Sequence, residues 1–78
     1  MKRYIIQLDN QYVKWISWIG GITPNNPFLT DFDSAMIVSE EYLNCKIERA
    51  GLSRKELIKQ KYPEVKFVEV KVVIVGEE

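Results

Sequence analysis

The acidic residues near the middle of the sequence have types and spacing that could bind a metal ion or exchange protons. Four carboxylates stand close together with no basic residue among them: Asp31, Asp33, Glu40 and Glu41. Asp31 and Asp33 have the spacing with which a calcium-binding loop begins, but Met36 and Tyr42 stand where that loop needs its glycine and its final glutamate. A turn or a helix cap explains the first pair more simply. We therefore predict no metal site, no cofactor and no catalysis by paired carboxylates.

The chain lacks histidine and has a single cysteine, and these counts exclude the commonest catalytic arrangements. Histidine is the usual general base near neutral pH and the commonest metal ligand. One cysteine forms no intrachain disulfide and no four-cysteine zinc site. We interpret Cys45 as a small buried hydrophobic residue rather than a nucleophile, and we predict that the protein is not an enzyme.

A run of basic residues on a predicted helix is the second group that could do chemistry. Its members are Arg54, Lys55, Lys59 and Lys61. Lys55 and Lys59 are four positions apart and so share a helix face that could contact phosphates. The preceding glycine and serine resemble the start of a helix-turn-helix, but Pro63 and a β-strand follow where a recognition helix should continue. Because the formal net charge is zero, nucleic-acid binding through these residues is the alternative function and not the leading one.

The first nineteen residues predict a β-hairpin, with strands over residues 3–8 and 11–19 and a two-residue turn between them. The turn defines three pairs on one face: Leu8 with Gln11, Ile6 with Val13, and Tyr4 with Trp15. Five of these six residues are apolar, so we expect this face to form the core. On this interpretation, Trp15→Ala costs roughly 3–5 kcal/mol of stability.

The opposite face of the hairpin is the candidate protein interface. It carries Ile5, Tyr12, Lys14, Ile16 and Trp18. Tryptophan and tyrosine are enriched at binding hot spots, and an exposed apolar patch often marks an interface. Two alternatives remain open: a protein partner covers this patch, or the loop at residues 20–27, or Phe28 and Phe32, fold over it.

Residues 40–61 predict helix, either as two short helices or as one bent helix, of which we favour two. Ser39 and Ser53 are suitable N-caps, and Ser53 with Glu56 predicts a capping box. Leu43, Ile47 and Ala50 would share one face of the first helix. Gly51 is the predicted stop of that helix, and Pro63 ends the second.

The rest of the chain completes an α+β domain. Residues 20–27 are rich in glycine, proline and asparagine and predict a surface loop. A short third strand is predicted at residues 35–38, and a long one at residues 65–75, where seven of eleven residues are β-branched. We expect a single domain with a small, mostly antiparallel sheet and the helices packed on one face.

No stretch reaches the ~20 apolar residues of a membrane span, and the first residues lack the apolar core of a signal peptide. The sequence therefore predicts a cytoplasmic protein that does not act in a membrane.

Three stretches carry a resemblance: residues 1–14, residues 30–41 and residues 65–75. Residues 1–14 look like the opening hairpin of short uncharacterised proteins from phages and prophages of Gram-positive bacteria. Residues 30–41 resemble the Asp-rich stretch, short strand and Glu-started helix of those proteins, and residues 65–75 resemble their closing strand. The resemblance implies an accessory or regulatory protein that acts inside a bacterial host cell. Its partner would be a host or phage protein or a second copy of the chain, and no catalytic residues come with the resemblance.

Overall fold

A computed structural model describes residues 1–71, 73, 75 and 76 of the chain. They form an α+β fold with a mainly antiparallel sheet and two short helices, which is the predicted fold class. In chain order the elements are β1 (Arg3–Leu8), β2 (Gln11–Ile19), β3 (Thr23–Thr30), β4 (Val38–Ser39), α1 (Glu40–Asn44), β5 (Lys46–Ile47), β6 (Leu52–Ser53), α2 (Arg54–Lys61) and β7 (Lys66–Val70). In the part of the chain that the structure describes, no helix has both the length and the apolar character needed to span a bilayer.

Strand β1 is the centre of the five-stranded main sheet. Gln7 pairs with Tyr12 of β2 on one edge and with Lys66 of β7 on the other. Arg3, at the opposite end of β1, pairs with Ser39 of β4 and also with β7. Strands β2 and β4 therefore share one edge of β1, while β7 occupies the other edge along residues 3–7.

The hairpin turn at residues 9–10 is present, and beside it Leu8 pairs with Gln11 as predicted. The other two predicted pairs are wrong, because the ladder between β1 and β2 extends only one pair further. Strand β2 then leaves β1 and continues its pairing with β3. The edge of β1 that β2 vacates is filled by β4, where Val38 pairs with Tyr4.

Two register shifts interrupt the ladder between β2 and β3, between Val13 and Trp15 and between Trp15 and Ser17, and the first of them is a β-bulge in β2. Val13 pairs with Leu29 and Trp15 pairs with Phe28, so that Lys14 is an extra residue between two consecutive residues of β3. One inserted residue reverses the alternation of side chains beyond it.

The bulge overturns the predicted inward and outward faces of β2. Trp15, predicted in the core, is 46% exposed. Ile16 and Trp18, predicted on the outer face, pack against the core cluster. The periodic pattern of the sequence contains no mark of the inserted residue, so simple alternation assigned these three side chains to the wrong faces.

Residues 20–27 are not the predicted surface loop. Only Gly20 to Ile22 form the turn, with positive φ angles of 61° at Gly20 and 75° at Gly21, and β3 follows directly. Strand β3 lies at the end of the sheet order. Its two prolines are compatible with this position, because an edge strand tolerates residues that lack an N–H donor.

The helical region contains two helices, as we favoured, and both predicted caps are present. The Ser39 hydroxyl accepts a hydrogen bond from the Tyr42 N–H at 3.0 Å. At α2, the Ser53 hydroxyl accepts from the Glu56 N–H, and the Glu56 carboxylate accepts from the Ser53 N–H, both at 3.2 Å. This reciprocal pair is the predicted capping box.

The connection between the helices differs from the prediction. Helix α1 ends at Asn44, and β5 and β6 then form a two-stranded ladder of their own. Gly51 lies in the turn of this ladder with φ at +71° and is not a helix stop. The predicted helical face of Leu43, Ile47 and Ala50 is therefore wrong beyond Leu43.

The main hydrophobic core lies between the sheet and α2. Its buried cluster consists of Ile6, Leu8, Val13, Ile58 and Val65. The apolar side chain of Phe67 in β7 packs at the margin of this cluster. Strand β7 ends at Val70, so it is shorter than the strand predicted at residues 65–75: residues 71, 73 and 75 are not in a strand, and residues 72 and 74 lie outside the described residues.

A second buried region lies on the opposite face of the sheet. Ile5 is 3% exposed, although it alternates with the core residue Ile6. The segment at residues 31–37 lies beside it, and Phe32, Ala35 and Ile37 line a cavity of about 340 Å³ together with Ile5. Ile5 and Ile6 are therefore buried on opposite faces of β1.

Candidate functional site

The β2–β3 hairpin carries an exposed apolar surface, which we call the hairpin patch: Trp15, Ile19 and Phe28, with Lys14 at its rim. The three apolar side chains are 46%, 58% and 49% exposed, respectively. The rings of Trp15 and Phe28 are stacked, with centroids 5.7 Å apart and planes 17° apart. Lys14 Nζ lies 5.9 Å from the centroid of the Phe28 ring.

Backbone pairing determines the position of this patch. Trp15 and Phe28 are direct partners in the β2–β3 ladder, so their side chains project from the same face. Helix α2 packs against β3, and it does so on the core side, where Ile16 and Trp18 lie. Among the described residues no helix packs over the face with Trp15 and Phe28, and the stacked rings therefore remain open to solvent.

The five residues of the predicted interface do not form one exposed face. Ile5 is buried beside the cavity that residues 31–37 help to line, and Ile16 and Trp18 pack against the core. Tyr12 is half-buried and meets the Phe32 ring edge-on, with ring centroids 5.6 Å apart. At Tyr12, therefore, Phe32 folds against the predicted interface, which is one of the two alternatives left open by the sequence. Only Lys14 belongs to the hairpin patch. That the hairpin contacts a partner stays a prediction.

The four basic residues of the predicted nucleic-acid face do not form one open surface either. The Arg54 guanidinium donates a hydrogen bond to the Tyr42 carbonyl at 3.2 Å, and its carbon lies 4.4 Å from the centroid of the Tyr42 ring. Lys55 Nζ lies 5.6 Å from the centroid of the Phe67 ring. Lys59 and Lys61 are exposed. Arg54 thus links α2 to α1 and does not belong to an open basic surface.

The acidic residues have local structural partners. The Asp31 carboxylate accepts a hydrogen bond from the Ser34 N–H at 3.1 Å and caps a short 3-10 turn. Glu40 and Glu41 lie in the first turn of α1, where negative charge is favourable. Within residues 1–71, 73, 75 and 76, no three Cys, Asp or Glu side chains are grouped closely enough to hold a metal ion.

The lone cysteine is exposed, and the prediction that it is buried was wrong. Helix α1 ends at the preceding residue, so Cys45 lies in the connection to β5 and not on the apolar side of a helix. Its Sγ is 4.0 Å from the Lys46 carbonyl oxygen.

Sequence reasoning missed two residues of the hairpin patch and misplaced a third. Ile19 and Phe28 were outside the candidate site, and Trp15 was assigned to the core. The signal that could have identified Phe28 is the run Phe28-Leu29-Thr30, whose residue types favour a strand. No comparable signal marks the bulge that exposes Trp15.

No protein-family model, curated protein or solved structure matches this chain. The interpretation of the hairpin patch therefore rests on its own geometry.

Proposed function

We propose that this protein is a small, non-enzymatic binding protein that contacts another protein through the hairpin patch. The observation that carries the proposal is the exposed stack of Trp15 on Phe28. Two large apolar rings on the open face of a strand pair lose water-exposed surface when a partner covers them, and this burial favours association. Aromatic residues are also enriched at the centres of protein interfaces.

The stacking of the two rings supports the proposal. Contact between the rings limits the freedom of each side chain, so binding would cost less side-chain entropy than binding through free side chains. We infer that the partner offers an apolar surface with a carboxylate at its edge, because the Lys14 ammonium is the charged group beside the rings. The resemblance to phage and prophage proteins is the basis on which we propose that this contact is regulatory and occurs inside a bacterial host cell.

The alternative function, nucleic-acid binding through α2, has less support. It relies on Lys55, Lys59 and Lys61, since Arg54 is engaged by Tyr42. A chain with zero formal net charge also has little long-range attraction for phosphates.

Affinity capture with matched variants tests the leading proposal. Wild-type protein, the double variant Trp15→Ser/Phe28→Ser and the control Ile37→Ser are immobilised and exposed to lysate of the cells that encode the chain. Ile37 is a suitable control because it is 49% exposed, like Phe28, but lies outside the hairpin patch. We expect one protein to bind the wild type and the control equally.

The retained protein is then purified and titrated against all three forms by calorimetry. The double variant should bind at least about fivefold more weakly, which corresponds to a loss of more than about 1 kcal/mol. Equal affinity for all three forms would contradict the proposal. A gel shift of duplex or single-stranded DNA at about 50 mM salt that disappears in Lys55→Ala/Lys59→Ala would support the alternative instead.

A further inference from the structure

The cavity on the sheet face opposite the main core has the lining of a small-molecule site. Its volume is about 340 Å³, and six apolar residues line it: Ile5, Phe32, Ala35, Ile37, Val70 and Val73. Ile5 is almost fully buried, whereas Phe32 and Ile37 are 58% and 49% exposed. The cavity therefore opens to solvent and leads toward the side chain of Ile5. Concave, mostly apolar sites of this kind are the usual places for small ligands to bind.

The fold itself holds both walls of the cavity. On one side, Val70 belongs to β7, which pairs with β1. On the other side, the Met36 N–H donates to the Val13 carbonyl at 3.0 Å and so attaches the segment at residues 31–37 to β2. Within this segment, the Ala35 N–H donates to the Phe32 carbonyl at 3.3 Å. A ligand would thus enter a preformed site and would order few protein groups on binding.

Two residues of opposite charge, Asp33 and Lys71, also line the cavity. Both are exposed, so they lie nearer its mouth than Ile5 does. Asp31 and not Asp33 caps the short 3-10 turn, and the Asp33 carboxylate is therefore not used by that capping bond. Lysine carries its ammonium group on a flexible stem of four carbons, which lets Lys71 adjust to the position of an anion. One anionic and one cationic group are thus available at the mouth.

This combination of features selects one class of ligand. The volume lies at the lower end of the range of about 300–1,000 Å³ for small-molecule sites, so the ligand is small. The apolar lining favours an apolar body, and charged groups belong at the mouth because they are costly to bury. A ligand with a single charge would be attracted by one of the two charged side chains and repelled by the other. A zwitterion is attracted by both.

We propose that the cavity binds a free amino acid with a large apolar side chain, such as leucine. The ligand's side chain lies against Ile5, its ammonium group faces Asp33 and its carboxylate faces Lys71. The cavity shares no residue with the hairpin patch, so this inference does not rest on the proposed contact with a protein partner.

Calorimetric titration with four probes tests the ligand class. L-Leucine should bind with a Kd of about 0.1–1 mM, as expected for a ligand of so few atoms. Glycine should not bind at about 20 mM, because it has no side chain to bury in the cavity. Isocaproate and isopentylamine each lack one of leucine's charged groups and should bind about threefold or more weakly than leucine, since each loses one ion pair at the mouth.

Two charge-removing variants test which side chain meets which end of the ligand. Asp33→Asn should weaken leucine binding about threefold and should not weaken binding of isocaproate, which has no ammonium group. Lys71→Gln should weaken leucine binding by a similar factor and should not weaken binding of isopentylamine, which has no carboxylate. A general effect on folding would instead weaken all three ligands equally.

Two further variants alter the apolar wall. Ala35→Phe should fill the cavity and weaken leucine binding about tenfold or more, and circular dichroism verifies that this variant is folded. Ile37→Ser changes an exposed wall residue and should weaken leucine binding about threefold, because less apolar surface is buried against the ligand. Trp15→Ser/Phe28→Ser should bind leucine like the wild type, so the two proposals can fail separately.

Three results would each overturn the proposal. The first is the absence of saturable leucine binding up to about 20 mM. The second is equal binding of glycine and leucine. The third is an unchanged affinity for leucine in Ile37→Ser and in folded Ala35→Phe.

Discussion

At the scale of single residues, the two tryptophans have opposite roles. Trp15 stacks on Phe28 at the protein surface and is 46% exposed, whereas Trp18 packs against the core. The Trp18 indole Nε1 is buried and donates to no acceptor among the described residues. The tryptophan that stabilises the fold is therefore Trp18, and Trp15 is available for binding.

We predict that Trp18→Ala destabilises the protein by about 3 kcal/mol, near the lower end of the range for emptying an aromatic core site. Trp15→Ala should cost only about 1 kcal/mol, because it removes a stacking contact from a solvent-exposed ring. Simple strand alternation predicts the reverse, with the larger loss of stability for Trp15→Ala. Urea denaturation followed by far-ultraviolet circular dichroism measures both values without relying on tryptophan fluorescence.

The control for this pair is Trp18→Phe. It keeps an aromatic ring in the core and removes an N–H group that has no acceptor among the residues that the structure describes, so we expect a cost below about 1 kcal/mol. A larger loss for Trp15→Ala than for Trp18→Ala would show that the bulge at Lys14 is misplaced.

At the scale of elements, short helices in this protein depend on their caps. Helix α2 has only eight residues, and isolated helices of that length are not stable in water. The capping box between Ser53 and Glu56 satisfies backbone donors at its start, and Arg54 attaches this first turn to α1 through the Tyr42 carbonyl.

We predict that Ser53→Ala lowers the stability of the protein by about 1 kcal/mol, the usual effect of losing an N-cap hydroxyl. Ser34→Ala is the matched control, since Ser34 contributes its backbone N–H and not its hydroxyl to the local hydrogen bond. Thermal unfolding of the two variants should show a lower midpoint for Ser53→Ala alone. Equal unfolding midpoints for Ser53→Ala and Ser34→Ala would mean that packing stabilises α2 and that its N-cap contributes nothing measurable.

At the scale of the whole molecule, burial of β1 on both faces organises the fold. Ile6 faces α2 and the main core, and Ile5 faces the segment at residues 31–37. Both side chains are nearly inaccessible, at 1% and 3% exposure. A single strand thus connects two small apolar regions, and β7, β2 and β4 surround it.

We predict that Ile5→Ala and Ile6→Ala each destabilise the protein by about 2–4 kcal/mol, because each leaves a cavity at a buried site. Such a loss is a large fraction of the stability of a small domain. Ile19→Ala, at an exposed position of β2, should cost less than about 0.5 kcal/mol. If Ile5→Ala lost as little stability as Ile19→Ala, Ile5 would not be buried next to the segment at residues 31–37.

Signals between near neighbours in the sequence determined the local features of this protein. The Asp9-Asn10 turn, the N-caps Ser39 and Ser53 and the end of α2 before Pro63 all follow from interactions a few residues apart. Turn conformation, capping hydrogen bonds and backbone propensity act over that range. These predictions needed no knowledge of distant parts of the chain.

Contacts between distant residues decided the candidate site. Whether Trp15 or Trp18 faces the core depends on one bulge in the ladder to β3, and whether Ile5 is buried depends on a segment about thirty residues later in the chain. Pairing of β7 with β1 similarly joins opposite ends of the sequence. Side-chain alternation has a period of two, so a single inserted residue exchanges inside and outside. Local sequence patterns therefore predicted β1, β2 and part of β7 but not β3, and only the tertiary structure determined which strand faces remain open to solvent.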